Sequence, residues 1–298
     1  MSTAPRISVV VPTYNRIDTL RHVIPSLVAQ DLDEPYEVLV ADSNSSDGTA
    51  EYLATVAREH PFVRHLPGPY TGRASARNAG IAASRAPVVL FTDADIIASP
   101  DLLARHLEHH DRPGTRAVVG MEVQVASHED YVAKRDDASK RGPLHGEKPK
   151  RLSWLYFLTG NASAPRADLD RVGRFDEDFT GYGHEDLELG YRLQHGGVPL
   201  EYEPRAVNYH WHPVPWDEQQ QKYELAGKST VRFYRKHPAW DVRLRLGMTP
   251  VSLALHDVVD RVPSLRSWIE HGATKPGFAR TLSYQYHYLT GVKEALRG

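Results

Sequence analysis

The residue types able to do chemistry in this sequence fall in three places. The apolar run PVVLF ends in Thr92-Asp93-Ala94-Asp95, two carboxylates where a buried strand should stop. Alternate residues share a face while the pleat lasts. In a turn just past the strand, however, the two carboxylates can share one hard divalent cation together with a diphosphate. A second acidic pair, Glu185-Asp186, follows a Gly-Tyr-Gly turn and opens a helical pattern. Acidic residues at a helix start are stabilised by the macrodipole, by about 0.3–1 kcal/mol, but that does not account for the glycine-rich turn that exposes them. His210 and His212 flank Trp211 at the end of an apolar run and lie on one side if the segment is extended. With no cysteine in the chain, any metal must be held by Asp, Glu, His or water.

Positioning these groups requires a sheet. ISVVV reads as a buried parallel strand that stops at Pro12, and RIDTLRHVIPSLVAQ has helical spacing with Leu20, Ile24 and Leu27 on one face. YEVLVAD, the polar turn SNSSDGT and AEYLATVAREH repeat the strand and helix cadence, followed by FVRHL, ASARNAGIAASR and PVVLFTD. The fold class is α/β: a Rossmann-like doubly wound sheet whose ligands bind at the carboxyl ends of the strands, where Asp42 and Asp93 stand. After the strand-like AVVGMEVQV, the charged stretch Ser127 to Arg151 reads as a solvated loop or as a lid over the site. From Pro215 onward the pattern is helical.

Bulk composition excludes several classes. The 298 residues are 41% hydrophobic and 25% charged, ordinary for a globular chain long enough to bury a sizeable core. No apolar stretch approaches the roughly 20 residues of a membrane span, and no N-terminal leader is visible, so a cytoplasmic location is expected. The net charge of −2 hides a surplus of +5 after residue 214, where 13 Lys+Arg meet 8 Asp+Glu. An acidic body with a basic tail is not the profile of a nucleic-acid binder.

Taken together and in order, VVVPTYNR, VADSNSSDGT, GRASARNAGI, VLFTDADI and GYGHEDLELGYRL resemble the family 2 glycosyltransferases, the large inverting group with a GT-A nucleotide-diphospho-sugar fold. The resemblance covers about residues 6 to 212. It implies a catalytic domain over residues 1–214, with a nucleotide-sugar half to 124 and an acceptor half from 125, and a C-terminal helical extension over 215–298. It also implies that Pro12, Thr13, Tyr14 and Arg16 hold the nucleobase and ribose, and that Asp42 contacts the base. A carboxylate there can accept an N–H of uracil or guanine. Asp47, by contrast, reads as a helix-start cap.

The resemblance further places Arg77 and Asn78 on the nucleotide side, where a cation offsets diphosphate charge. Asp93 faces the ribose, with Ala94 between, and Asp95 holds Mn2+ or Mg2+. A distal histidine completes the metal set: His210, which directly follows the strand-like AVNY run, with His212 as the alternative. Asp186 is the implied general base and Glu185 its neighbour on the acceptor hydroxyl. Asn161, Tyr182 and His184 fall on the acceptor side.

The expected activity is metal-assisted, inverting transfer of a sugar from a nucleotide-diphospho-sugar, UDP by default, to an acceptor hydroxyl. The competing readings are a sugar nucleotidyltransferase, which PTYNRIDT fits poorly for want of a Gly-rich basic phosphate loop, and a nucleotide-sugar-binding protein without turnover. The basic, aromatic tail carries the expectation of a packed helical appendage with weak, salt-sensitive peripheral membrane association.

Overall fold

In the computed structural model the segment Ile7–Thr13 forms strand β1, and all of its residues are buried. Successive side chains enter opposite cores. Val9 and Val11 pack with Leu20, Ile24, Leu27 and Val38, whereas Val10 packs with Leu39, Val89, Phe91 and Leu189. Burial of both faces is why the strand reads as a continuous apolar run. The strand does not stop at Pro12 but continues to Thr13, opposite Asp42. Its other neighbour in the sheet ends opposite Val10, so beyond that point β1 is paired on one side only, a position that tolerates proline.

The structure describes residues 4–141, 150–211, 216–272 and 277–298. They divide into two units, Met1–Asp178 with Glu185–Pro213, and Phe179–His184 with Val214–Gly298. The second unit thus takes the segment before Glu185 as well as the C-terminal part. In the first unit β1 is followed by α1 (Ile17–Val28), β2 (Tyr36–Asp42), α2 (Thr49–Glu59), β3 (Val63–Pro67), α3 (Arg73–Ala83) and β4 (Val88–Phe91). Then come β5 (Ile96–Ala98), α4 (Leu102–His110), β6 (Ala117–Val125), α5 (His128–Asp136), β7 (Lys150–Leu152), β8 (Ala162–Pro165), α6 (Arg166–Val172), α7 (Glu185–His195) and β9 (Leu200–Trp211).

One mixed sheet has the order β3-β2-β1-β4-β8-β6-β9-β5, with β7 also on β9. The strands β1 to β4 are parallel, β8 runs antiparallel between β4 and β6, and β9 is parallel to β6. The mixed α/β architecture agrees with the expected GT-A class.

The stretch after residue 126 differs from the expected loop. Ser127 caps α5 by accepting from the Asp130 amide, and the Asp130 carboxylate returns to the Ala126 amide. Such reciprocal capping starts a helix even in a highly charged segment. Residues 142–149 lie outside the described residues, so the lid reading falls partly there.

The second unit contains α8 (Trp216–Lys236), α9 (Trp240–Arg245), α10 (Pro250–Arg261), α11 (Pro263–Gly272) and α12 (Phe278–Arg297). A small core of Val231, Met248 and Val292 joins α8 to α12, and a second one gathers Val259, Ile269 and Tyr286. The α8–α12 contact is reinforced by His287 with Glu224 at 2.8 Å and Lys228 with Glu294 at 2.8 Å. Phe179, Tyr182 and His184 belong to this unit: the Arg232 guanidinium lies over the Phe179 ring, and Ser229 donates to the Tyr182 carbonyl.

Candidate active site

The two sequence pairs that suggested chemistry are brought together by one arginine. Small residues on α3 let it approach the sheet closely: a Cβ on Gly80 would stand 2.3 Å from Val10 Cγ1. Arg77 on the same helix is consequently 1% exposed. Its Nη2 donates to Asp93 Oδ1 at 2.8 Å and its Nη1 to Glu185 Oε1 at 2.9 Å. Burial opposes the charge on Arg77, but the carboxylates of Asp93, Glu185 and Asp186 outweigh it and raise its pKa. Arg77 therefore stays a cation that holds the turn after β4 against the start of α7.

Asp186, next to Glu185 in the first turn of α7, is half-buried and its Oδ1 accepts from the Leu187 amide. Burial pushes its carboxyl up to about 7, and the charge of Glu185 adds to the effect while Arg77 works against it. A carboxyl poised there exchanges protons near neutrality, as a general base must. Glu185 is buried, and its Oε2 has no hydrogen-bond partner among the described residues. Leu189 and Leu193 are buried and seat the helix, whereas Leu187 is only half-buried.

Asp95 sits in the turn between β4 and β5, and β9 fixes it. The Trp211 amide donates to the Asp95 carbonyl at 2.8 Å, and Ile96 pairs with His210 across the β5–β9 ladder. His210 Nε2 lies 3.6 Å from Asp95 Oδ1, and its Nδ1 lies 3.2 Å from Glu122 Oε1. Burial disfavours a charged imidazole, yet bonds to Asp95 and Glu122 override it and push the His210 pKa up to about 10. Two carboxylates thus converge on one imidazole; the carboxylate oxygens are of the kind that suit Mn2+ or Mg2+, and the ring nitrogen is a softer donor that favours Mn2+ of the two. Among the described residues no three His, Asp or Glu side chains are placed to hold a cation by themselves. Asp95 and His210 would hold one side of it, leaving the other positions to diphosphate oxygens and water.

At the ends of β1 and β2, Asp42 is buried. Its Oδ1 accepts from the Ser45 amide at 3.1 Å, and its Oδ2 lies 3.4 Å from His65 Nε2. Thr13 is buried beside it in the register, while Tyr14 is 61% exposed at the head of the loop leading to Arg16, which caps α1. Gly48 holds the cap position of α2 with no side chain to bond, and the Asp47 carboxylate one residue earlier serves the helix start. It accepts from the amides of Thr49 and Ile17 and so joins the starts of two helices.

A sequence model of the family described as Glycosyl transferase family 2 matches residues 8–173, more than half of the chain. The chain belongs to that family. It is 32% identical over 268 residues to the validoxylamine A glucosyltransferase of Streptomyces hygroscopicus subsp. jinggangensis (strain 5008), which covers 80% of this chain and 62% of that protein. With the chondroitin synthase of Escherichia coli it shares 26% identity over 275 residues, 77% of this chain and 39% of that one. The chain therefore spans less than two thirds of the length of these relatives. Its fold is that of the mannosyltransferase PcManGT from Pyrobaculum calidifontis in complex with GDP-Man and Mn2+, at a TM-score of 0.64 and 21% identity over 98% of this chain and 87% of that one. GalNAc-T7 with UDP, GalNAc and Mn2+ gives a TM-score of 0.60 at 16% identity over 79% of this chain and 48% of the other.

Within this family 2 chain, several expected site residues have structural employment. Asn161 is buried; its Oδ1 meets His106 Nε2 at 2.9 Å and its Nδ2 donates to the carbonyls of Met121 and Ala206. It ties β6, α4 and β9 together. Asn78 is likewise spent on the Phe175 backbone and on Glu177. His184 adopts φ 73° and meets Thr230 Oγ1 at 2.7 Å, and burial pushes its pKa down to about 4, so it is neutral. Tyr182 and His184 are members of the second unit. His212 lies outside the described residues. Beside the candidate residues stand two that the sequence did not single out, Glu122 against His210 and His65 against Asp42. For Glu122 a signal existed: in MEVQV the polar Glu122 and Gln124 alternate with the buried Val123 and Val125.

Proposed function

We propose that this chain is an inverting glycosyltransferase that moves a sugar from a nucleotide-diphospho-sugar to an acceptor hydroxyl, with Asp186 as the general base. The observation that carries the reading is the Asp186 carboxyl, raised by burial and by Glu185, at the site Arg77 links to Asp93. Inversion by single displacement needs one base that takes the proton of the attacking hydroxyl, and a carboxyl titrating near neutrality is matched to that task. The Oε2 of Glu185 is available to accept from the same hydroxyl and orient it. Asp42 and Tyr14 would receive the base and Asp93 the ribose; UDP is the default nucleotide, and GDP is the alternative that the PcManGT likeness brings.

A bound Mn2+ or Mg2+ would supply positive charge to the departing diphosphate. Asp95 and His210 are the side chains that would hold it, tied to each other by the β5–β9 ladder. A thermal-shift panel tests the donor side. Nucleoside diphosphate at 100 times its dissociation constant adds about 2.7 kcal/mol of stability. That gain is expected only with the cation present and is expected to vanish in Asp95→Ala. Equal stabilisation of the wild type in EDTA would remove the metal from the reading.

The second unit has a surface that favours peripheral membrane contact. Val251, Leu255 and Val258 lie along one side of α10 and are exposed, as are Trp240, Trp268 and Phe278. Apolar and aromatic side chains on a unit with surplus positive charge fit the interface of an anionic bilayer. Among the described residues no helix is long and apolar enough to cross a membrane.

A further inference from the structure

Glu122 occupies a niche that the surrounding residues are shaped to leave open. The Gln124 side chain donates to its Oε1 at 2.8 Å. Behind it stands Gly160, where a Cβ would lie 2.1 Å from Glu122 Oε2 and 2.9 Å from Ile96 Cδ1. The Gly160 carbonyl accepts from Asn208 Nδ2 at 2.7 Å, and Asn208 is fully buried in β9, opposite Glu122 in the register. The backbone carrying His210 thereby also fixes the wall against which the Glu122 carboxylate rests. From this seat Glu122 reaches only the Nδ1 of the His210 ring, at 3.2 Å, while Nε2 points at Asp95; the Gln124 amide nitrogen stands 3.1 Å from the same Nδ1 but has no lone pair to offer, so Glu122 is the acceptor there for an Nδ1–H.

An imidazole has two nitrogens, and a hydrogen bond at one determines which of them presents its lone pair. Carboxylates that accept the N–H of a metal-bound histidine fix its tautomer and ring orientation and raise its basicity as a ligand. We propose that Glu122 is a positioning residue: it accepts the Nδ1–H of His210, so that Nε2 is offered to a divalent cation beside Asp95. The inference rests on the metal reading of Asp95 and His210, which the experiment tests separately.

The measurement is Mn2+ affinity of the full chain without donor, from the electron paramagnetic resonance signal of free Mn2+, together with the spin-echo modulation that ring nitrogen imposes on bound Mn2+. Glu122→Leu removes the acceptor, and Glu122→Gln keeps the size with a neutral, weaker one. The expected result is an increase in the Mn2+ dissociation constant by about 10- to 100-fold in Glu122→Leu, with a smaller increase in Glu122→Gln. The nitrogen modulation should weaken in parallel while the melting profile keeps one cooperative transition. Should Glu122→Leu fail to fold, Glu122→Gln alone carries the test. Wild-type affinity in the folded Glu122 variants, with binding lost in Asp95→Ala, overturns the proposal and leaves the metal reading standing. Lost affinity with unchanged nitrogen modulation also overturns it, by making Glu122 a direct ligand. If Asp95→Ala and His210→Ala both bind Mn2+ as the wild type does, the metal reading itself is what fails.

Discussion

Arg77 and Glu185 are separated by 108 positions in the chain and meet at 2.9 Å inside the first unit. Because the same guanidinium also holds Asp93, it is a buried cation shared between two carboxylates of the site. Removing it leaves those carboxylates without their counter-charge. Arg77→Met should therefore destabilise the chain by about 3–5 kcal/mol, the cost typical of breaking a buried ion pair from one side. Urea denaturation measures this directly. A loss below about 1 kcal/mol would mean that water replaces the arginine.

Chemistry and binding separate at Asp186. Asp186→Asn is nearly isosteric and cannot accept the hydroxyl proton. Transfer should fall by about 10²- to 10⁴-fold while donor affinity, measured by calorimetry, stays at the wild-type value. An equal loss of donor affinity would reassign Asp186 to nucleotide binding or to structure.

The pH dependence has opposite signs for rate and stability. The base acts in its ionised form, so kcat should rise through about pH 7 and level off above it. In the unfolded chain the same carboxyl titrates near 3.9. Between that value and about 7 the folded chain holds the extra proton, so stability declines as pH increases through this window. Asp186→Asn escapes the penalty and should melt higher than the wild type at pH 8, with a smaller difference at pH 4. A rate that falls through neutrality would contradict the assignment.

The product fixes the stereochemical course. With one base and a single displacement, an α-linked donor should give a β-linked product, read from the anomeric coupling constant by NMR. Retained configuration would require a different mechanism.

The exposed stripe of α10 makes the membrane reading testable. The chain should float with vesicles containing anionic lipid at low salt, and Leu255→Glu with Val258→Glu should abolish flotation without changing activity on a soluble acceptor. No flotation of the wild type would leave the second unit as scaffold.

What the sequence revealed followed the range of the interactions involved. The β-α cadence through β4 is written in apolar runs and helical spacing, and the acidic pairs could be located because each is local. The three-residue β5 has no periodic signal of its own and exists because β9 lies beside it. Glu122 looked like one polar position of a strand because its meaning depends on His210, 88 positions further on. Arg77 was legible as a cation near the site, but its burial between Asp93 and Glu185 follows from how closely α3 packs on β1. Helix α5 was missed for another reason: its Ser127-x-x-Asp130 start is a local signal that the surrounding charge obscured.

The irregularity in β9 sets a phase. Opposite the adjacent pair Gly120 and Met121 of β6, β9 advances from Glu203 to Val207, so Pro204, Arg205 and Ala206 are additional to the ladder. Side chains alternate along a strand, and the three additional residues are the slack that lets the ladder before them and the ladder after them each keep its own register. A deletion between Val207 and Tyr209 has no such slack and would bring Trp211 to the position where His210 now meets Asp95. The proposed cation site should therefore tolerate removal of one residue from Pro204 to Ala206 with Mn2+ affinity near the wild-type value, and lose affinity when the same deletion is made after Val207.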